Sequence, residues 1–186
     1  MKRSFDISLS LIALLVLAIP LMVTFVIIKF TSKGSGLYWS ERVGKNNLIF
    51  RMPKFRTMHH ETPQVASHLL GDPLSYYTPI GKFLRQYSID ELPQLFSILK
   101  GEMSFVGPRP ALFNQENLIK LRSSYKIDQL TPGVTGWAQV NGRDELTIEE
   151  KVKFDAEYFS KKSLRFDLYI IYLTLFKVIK KDGISH

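Results

Sequence analysis

Two acidic residues stand side by side at Asp90-Glu91, inside the densest stretch of the chain, PIGKFLRQYSIDELPQLFSILKGEMSFVGPRP at 79–110. Adjacent carboxylates point in different directions and can take different jobs. One can be a nucleophile or metal ligand, the other a proton acceptor. Their hard oxygens suit Mg²⁺, which is typically held by one or two carboxylates plus substrate phosphates. Arg85 lies just upstream, and Arg109 sits within Gly107-Pro108-Arg109-Pro110. Guanidinium forks bind phosphate bidentately, and the two prolines stiffen the loop that carries Arg109. Arg143, after the turn signal Asn141-Gly142, could also reach an anion. A plainer reading is open as well. Ser88 and Glu91 have the spacing of a capping box, with Ser88 as N-cap and Glu91 as N3. Asp90 and Glu91 would then simply open a helix, whose N-terminus favours carboxylates and bound phosphate alike.

These groups need a scaffold. Helical patterns occupy roughly 80–100, 111–126, 147–160 and 164–181. Residues 37–58, LYWSERVGKNNLIFRMPKFRTM, hold two short apolar-aromatic runs around the turn signals Gly44 and Asn46-Asn47. That pattern predicts a β-hairpin, with the basic residues Arg51, Lys54 and Arg56 after the turn. Residues 31–36, TSKGSG, form a polar linker, and 59–78 read as an irregular loop. TPGVTGWAQVNGR at 131–143 reads as a tight, ordered loop rather than a helix. Glu149-Glu150 read as a solvated helix face. In the last helical pattern Asp167, Thr174, Lys177 and Lys181 fall on one narrow stripe, and nearly everything else is apolar or aromatic. Such a helix lies in a membrane interface or in a core. His59-His60-Glu61 and His68 are poorly placed to share a metal.

From Ile7 to Ile28 the chain reads ISLSLIALLVLAIPLMVTFVII, 22 residues without a charge. As a straight helix this is about 33 Å, against a bilayer core of about 30 Å. The run is too long for an ordinary signal-peptide core, and no small-x-small cleavage site follows. Lys2 and Arg3 precede it, while Lys29, Lys33, Arg42 and Lys45 follow. Positive charge on both sides gives no direction across the bilayer. Both ends on the cytoplasmic side would satisfy that distribution best. Such a path needs a bend, which Pro20 could supply by leaving the Val16 carbonyl without its donor. A kinked spanning helix is the other outcome. Asp6, four residues from Lys2 and beside Arg3, could pair with Lys2 along one helix face at the interface.

The 186 residues carry 25 Lys+Arg against 17 Asp+Glu, a formal charge of +8, and no Cys. That length suits one domain with one modest core. Without cysteine, disulfides, thiolate zinc sites and thiol nucleophiles are excluded. With 45% hydrophobic and 23% charged residues the chain is not disordered. The basic excess calls for an anionic partner: nucleic acid, phospholipid or a phosphorylated small molecule. The membrane segment argues against nucleic acid. Neither GxGxxG nor the phosphate-binding GxxxxGK[ST] occurs.

A set of segments, in order along nearly the whole chain, carries a family resemblance. They are KRSFD at 2–6, the apolar run with Pro20, KFRTM at 54–58, GKFLRQYSIDELPQLFSILKGEMSFVGPRP at 81–110, PGVTGWAQVNGR at 132–143, FDAEYF at 154–159 and SLRFDLYIIYLTL at 163–175. In these the chain resembles the bacterial sugar transferases, also called monotopic phosphoglycosyl transferases. The resemblance implies an α+β, mostly helical fold. A re-entrant membrane helix would occupy residues 1–30. A small cytoplasmic, membrane-associated catalytic domain would occupy 31–186, with a short β-hairpin and interfacial amphipathic helices. It implies transfer of a sugar-1-phosphate from a UDP-sugar to polyprenyl (undecaprenyl) phosphate, with Mg²⁺, giving the polyprenyl diphosphate sugar and UMP. This would be the first membrane step of bacterial glycan assembly, at the cytoplasmic face of the inner (plasma) membrane. By the matching motif Asp90 is the nucleophile, forms a covalent phosphosugar intermediate and binds the metal, and Glu91 is its acid/base partner. Lys54, Arg56, Arg85, Arg109 and Arg143 are expected to bind substrate, through its phosphates or nucleotide. The family breaks its membrane helix at a Ser-Pro pair, whereas Ile19 precedes Pro20 here. Small family members without an extra multi-span domain often use N-acetylated amino sugars, which sets the expected donor. Interfacial aromatic residues allow a homodimer. The contrasting expectation is a non-catalytic basic membrane scaffold, for which Asp90→Asn would leave function intact.

Overall fold

Lys2–Thr31 form one helix of 30 residues, α1, about 45 Å long. The computed structural model describes residues 1–59, 62, 73–142 and 145–180. Arg143, His60, Glu61 and His68 therefore lie outside the described residues. Pro20 sits inside α1 without interrupting it, so the expected break is not present as a gap in the helix. One stripe of α1 packs on the domain. Ala13, Leu14 and Leu17 cover a core of Phe50, Met52, Leu95, Ile98 and Met103. Leu21 and Ile28 continue onto Phe55 and Leu84. The opposite stripe, including Leu15, Val16 and Ile19, is exposed. Among the described residues α1 is the one helix long and apolar enough to cross a membrane, by length and composition.

Both ends of α1 are fastened to the domain. Lys2 does not pair with Asp6, as its spacing predicts. Its Nζ reaches Asp167 at 2.5 Å, the Val106 carbonyl at 3.0 Å and the Tyr158 hydroxyl at 3.2 Å. Asp6 is buried instead and accepts from Ser104 Oγ and the Phe105 amide. A side chain on a domain surface finds partners from distant sequence, and these outcompete the neighbour one turn away. Arg3 donates to the carbonyls of Ile98 and Leu99 in the last turn of a helix. At the far end Arg56 donates to the carbonyl and hydroxyl of Ser32.

The predicted hairpin forms as β1 (Leu37–Val43) and β2 (Ile49–Phe55), antiparallel, with Leu37 opposite Phe55 and Val43 opposite Ile49. Asn46 and Asn47 turn it with φ of 55° and 59°, in the left-handed region that asparagine tolerates. The helical pattern at 80–100 breaks into three pieces. These are α2 (Gly81–Gln86), a 3₁₀ helix (Ile89–Gln94) and α3 (Leu95–Lys100). The break is at Ser88, whose φ is 54° and whose side chain makes no cap bond. The capping box expected at Ser88–Glu91 is therefore absent, because a left-handed residue cannot take the extended N-cap conformation. The capping box that does form joins Thr147 and Glu150, at the start of α6 (Ile148–Lys161).

The pattern at 111–126 shortens to α4 (Glu116–Ser124). A short parallel pair, β3 (Ser104–Val106) and β4 (Gly133–Thr135), joins the acidic stretch to the glycine-rich one. Gly133 permits the approach, since a Cβ there would lie 2.1 Å from the Gly107 nitrogen. Residues 131–143, expected to be loop throughout, contain β4 and the four-residue helix α5 (Trp137–Val140). The last helix, α7 (Leu164–Lys180), turns its polar stripe inward. Asp167 is buried and Thr174 shares a hydrogen bond with Thr135, while Leu168, Tyr169, Tyr172, Leu175 and Phe176 are exposed. This is the reverse of a water-facing amphipathic helix. The fold is α+β and mostly helical.

Candidate active site

Asp90 and Glu91 sit in the 3₁₀ helix between α2 and α3, and β2 lies directly against that turn. The kink at Ser88 and the ring of Pro93 keep the segment from joining its neighbours in one long helix. The two carboxylates consequently face different surroundings. Glu91 Oε1 accepts from Lys54 Nζ at 2.7 Å and from Arg109 Nη2 at 3.1 Å. Lys54 comes from β2, and Arg109 from the loop after β3, so Glu91 ties three segments together. Asp90 is only 5% exposed, yet no donor among the described residues hydrogen-bonds to it. Burial pushes its carboxyl up to about 6, against the pull of Lys54, Arg85 and Arg109. Burial likewise lowers the Lys54 ammonium, with Glu91 opposing.

The predicted cations do not all converge. Lys54 and Arg109 meet at Glu91. Arg85 stacks on Tyr77, with its guanidinium carbon 5.6 Å from the ring centroid, and its charge also acts on Asp90. Arg56 is buried and spends its hydrogen bonds on Ser32, at the linker after α1. Sequence reasoning passed over Arg42 as a site residue. Its guanidinium is coupled to Arg109, Glu91 and Arg85, and burial with the Arg109 charge pushes it down to about 10. A signal was present: Ser40 and Arg42 share one face of β1, where polar side chains turn toward the body rather than to water. Arg122 was also missed. It donates to the Arg109 carbonyl at 2.8 Å and, through two nitrogens, to buried Asp155. It thereby fixes the backbone of the Pro-Arg-Pro loop.

A divalent cation fits this site in one way. Asp90 offers a buried carboxylate that no donor among the described residues hydrogen-bonds. No group of three or more His, Cys, Asp or Glu side chains exists among the described residues. An ion here would be held by Asp90 and completed by water and substrate phosphate oxygens, as Mg²⁺ commonly is. The arrangement as a whole can present a carboxylate that no described donor holds to an electrophile, while four cations, Arg42, Lys54, Arg85 and Arg109, attract anionic groups nearby.

Comparison with known proteins gives this geometry a context. The family model described as bacterial sugar transferase matches residues 1–181. The chain is 34% identical to the exopolysaccharide production protein ExoY of Sinorhizobium fredii, over 98% of this chain and 87% of that one. It is 35% identical to the uncharacterized sugar transferase EpsL of Bacillus subtilis, over 100% of this chain and 90% of that one. It is 38% identical to the UDP-glucose:undecaprenyl-phosphate glucose-1-phosphate transferase of Escherichia coli, over 95% of this chain but 40% of that one.

Proposed function

This chain belongs to the bacterial sugar transferase family, and on that premise we propose that it moves a sugar-1-phosphate from a UDP-sugar to polyprenyl phosphate. One observation carries the chemistry: Asp90 is buried, has no hydrogen-bond donor among the described residues, and lies under the charges of Lys54, Arg85 and Arg109. A buried carboxylate left without hydrogen bonds is costly, and a reacting phosphorus repays what the fold withholds. In the first step an Asp90 oxygen forms a bond to the sugar-bearing phosphorus. The bond from that phosphorus to the bridging oxygen breaks, and UMP leaves with the electron pair. In the second step an oxygen of polyprenyl phosphate attacks the same phosphorus, and the Asp90 carboxylate departs as it began. Splitting the transfer keeps two anions from having to meet in one event. Glu91 holds Lys54 and Arg109 at the edge of the site and takes the proton of the acceptor phosphate. Mg²⁺, when bound at Asp90, would neutralise phosphate charge.

How α1 is held supports a membrane placement. Both of its ends rest on one domain, through Lys2, Arg3 and Asp6 at the start and through Ile28 and Ser32 at the finish. That supports a helix which enters the bilayer and returns, or lies along it, with the domain on the cytoplasmic face where UDP-sugars are found. The exposed apolar stripes of α1 and α7 would meet lipid, and the apolar tail of the acceptor would approach from the same side. The expected N-acetylated amino sugar is the finer part of the proposal. The donor panel must also hold UDP-glucose and UDP-galactose, since relatives are named for glucose and galactose.

The test uses the full chain in detergent with undecaprenyl phosphate, Mg²⁺ and a panel of UDP-sugars, reading UMP. Release that requires acceptor supports the reading and identifies the sugar. Well-folded protein that releases UMP from no donor would refute it.

A further inference from the structure

Arg42 is held in a way that the proposed chemistry has not yet used. It sits on β1, half-buried, one strand away from Lys54. Its Nε donates to Ser40 Oγ at 2.9 Å and its Nη1 to the Pro110 carbonyl at 3.2 Å. Both acceptors are neutral. Among the described residues no carboxylate lies within ion-pair distance of Arg42. The contrast is Arg122, which also holds this loop but is neutralised by Asp155. A guanidinium has five N–H donors, and two of these are committed here. Those two bonds stop the fork from rotating, so the remaining donors keep one orientation. The charges that act on it are those of Arg109, Glu91 and Arg85. Glu91, the one carboxylate among them, already receives Lys54 and Arg109. A half-buried cation beside other cations, without an ion pair of its own, is stabilised further when an anion arrives.

We propose that Arg42 is a phosphate-binding residue of the transfer site, oriented by Ser40 and Pro110 to receive a phosphate presented to Asp90. The inference rests on the sugar-1-phosphate transferase reading. Both substrates carry phosphate, so the shared chemistry is a phosphate oxygen and the experiment separates the two sources. Arg42→Gln removes the charge and keeps a donor for Pro110. Arg42→Lys keeps the charge and loses the fork. Charge-assisted hydrogen bonds of this kind predict a KM rise of at least about tenfold in Arg42→Gln, and a smaller rise in Arg42→Lys. A rise confined to the UDP-sugar assigns the donor diphosphate, and one confined to polyprenyl phosphate assigns the acceptor. Wild-type KM values for both substrates in Arg42→Gln would overturn the proposal, as would equal losses in the two variants.

A second measurement needs no variant. Phenylglyoxal labelling of the wild-type chain, mapped by peptide mass, should slow at Arg42 when inorganic pyrophosphate is added. Exposed Arg51, which stacks on Trp39, serves as the reference whose labelling stays constant. Labelling of Arg42 that pyrophosphate leaves unchanged would overturn the proposal even if Arg42→Gln fails to fold. Because this readout uses no sugar donor, it succeeds or fails independently of turnover.

Discussion

Two buried aspartates, Asp155 and Asp90, are treated in opposite ways. Asp155, in α6, is 1% exposed and receives two hydrogen bonds from Arg122. Asp90, 5% exposed, receives none among the described residues. Burial raises both carboxyls above the ordinary range. The first is compensated, and its work is to hold Arg122 against the Arg109 carbonyl. The second is left open, in a molecule that elsewhere finds partners even for Asp6 and Asp167. A buried acid that no donor among the described residues reaches, and that sits among cations, is the place to look for chemistry.

The comparison breaks most sharply under substitution. Asp90→Asn should cost at least about a thousandfold in UMP release, since it removes the reacting group itself. Its thermal midpoint should hold or rise at pH 7.5, because an ionised, uncompensated carboxylate has been removed from the interior. The contrast variant, Asp155→Asn, should destabilise by about 3–5 kcal/mol, as breaking a buried ion pair does, with turnover per folded molecule falling far less. Equal midpoint losses in the two variants would erase the distinction.

Lys2→Met comes next in size. It leaves buried Asp167 without its cation, with only the Tyr158 hydroxyl donating to it among the described side chains, and should lower the midpoint clearly, with the loss of α1 docking visible as faster proteolysis. An unchanged midpoint would place that ion pair among the inconsequential ones.

The acidity of Asp90 sharpens the comparison along another axis. A carboxyl raised to about 6 on folding is neutral below that pH and ionised above it. Its folded-state pKa exceeds the unfolded one, so it favours the folded state at low pH and loses that contribution as pH rises through about 6. Two outcomes follow. The midpoint gain of Asp90→Asn over wild type should shrink as pH falls below 6. Donor turnover should decline over the same range, because the protonated acid is a poor nucleophile, and added Mg²⁺ should move that limb to lower pH by competing with the proton. A profile flat down to pH 4.5 at limiting Mg²⁺ would contradict the environment assigned to Asp90. The smallest effect belongs to Thr147→Ala, which removes the cap of α6 far from the site. It should lower the midpoint by roughly 2–4 °C, the scale of one lost N-cap, and leave KM values alone.

Local pattern carried part of this structure. The hairpin was legible because Asn46-Asn47 tolerate the turn that two apolar runs require. The polar stripe of α7 was legible because helical periodicity is regular, although periodicity does not say which side faces the body. Residues 80–100 misled by being locally helical: only the left-handed Ser88 and the tertiary pressure of β2 divide them. The Ser88 capping box failed for the same reason, while the Thr147 box formed where nothing competed. Partners separated by long stretches of chain, such as Lys2 with Asp167 and Arg42 with Pro110, are set by packing and leave no local trace. Asp90 and Glu91 stood out as a pair in the sequence. Their difference did not, since it arises from which of them β2 and the Pro-Arg-Pro loop happen to touch.

The central claim is that Asp90, which has no donor among the described residues, bonds to phosphorus. The direct measurement is intact and peptide mass of the full chain incubated with its UDP-sugar and Mg²⁺ in the absence of polyprenyl phosphate, quenched in acid. The account predicts a phosphosugar adduct on the peptide that contains Asp90, absent in Asp90→Asn and discharged on adding acceptor. Rapid turnover with acceptor, and no adduct on Asp90 at any quench time, would contradict it.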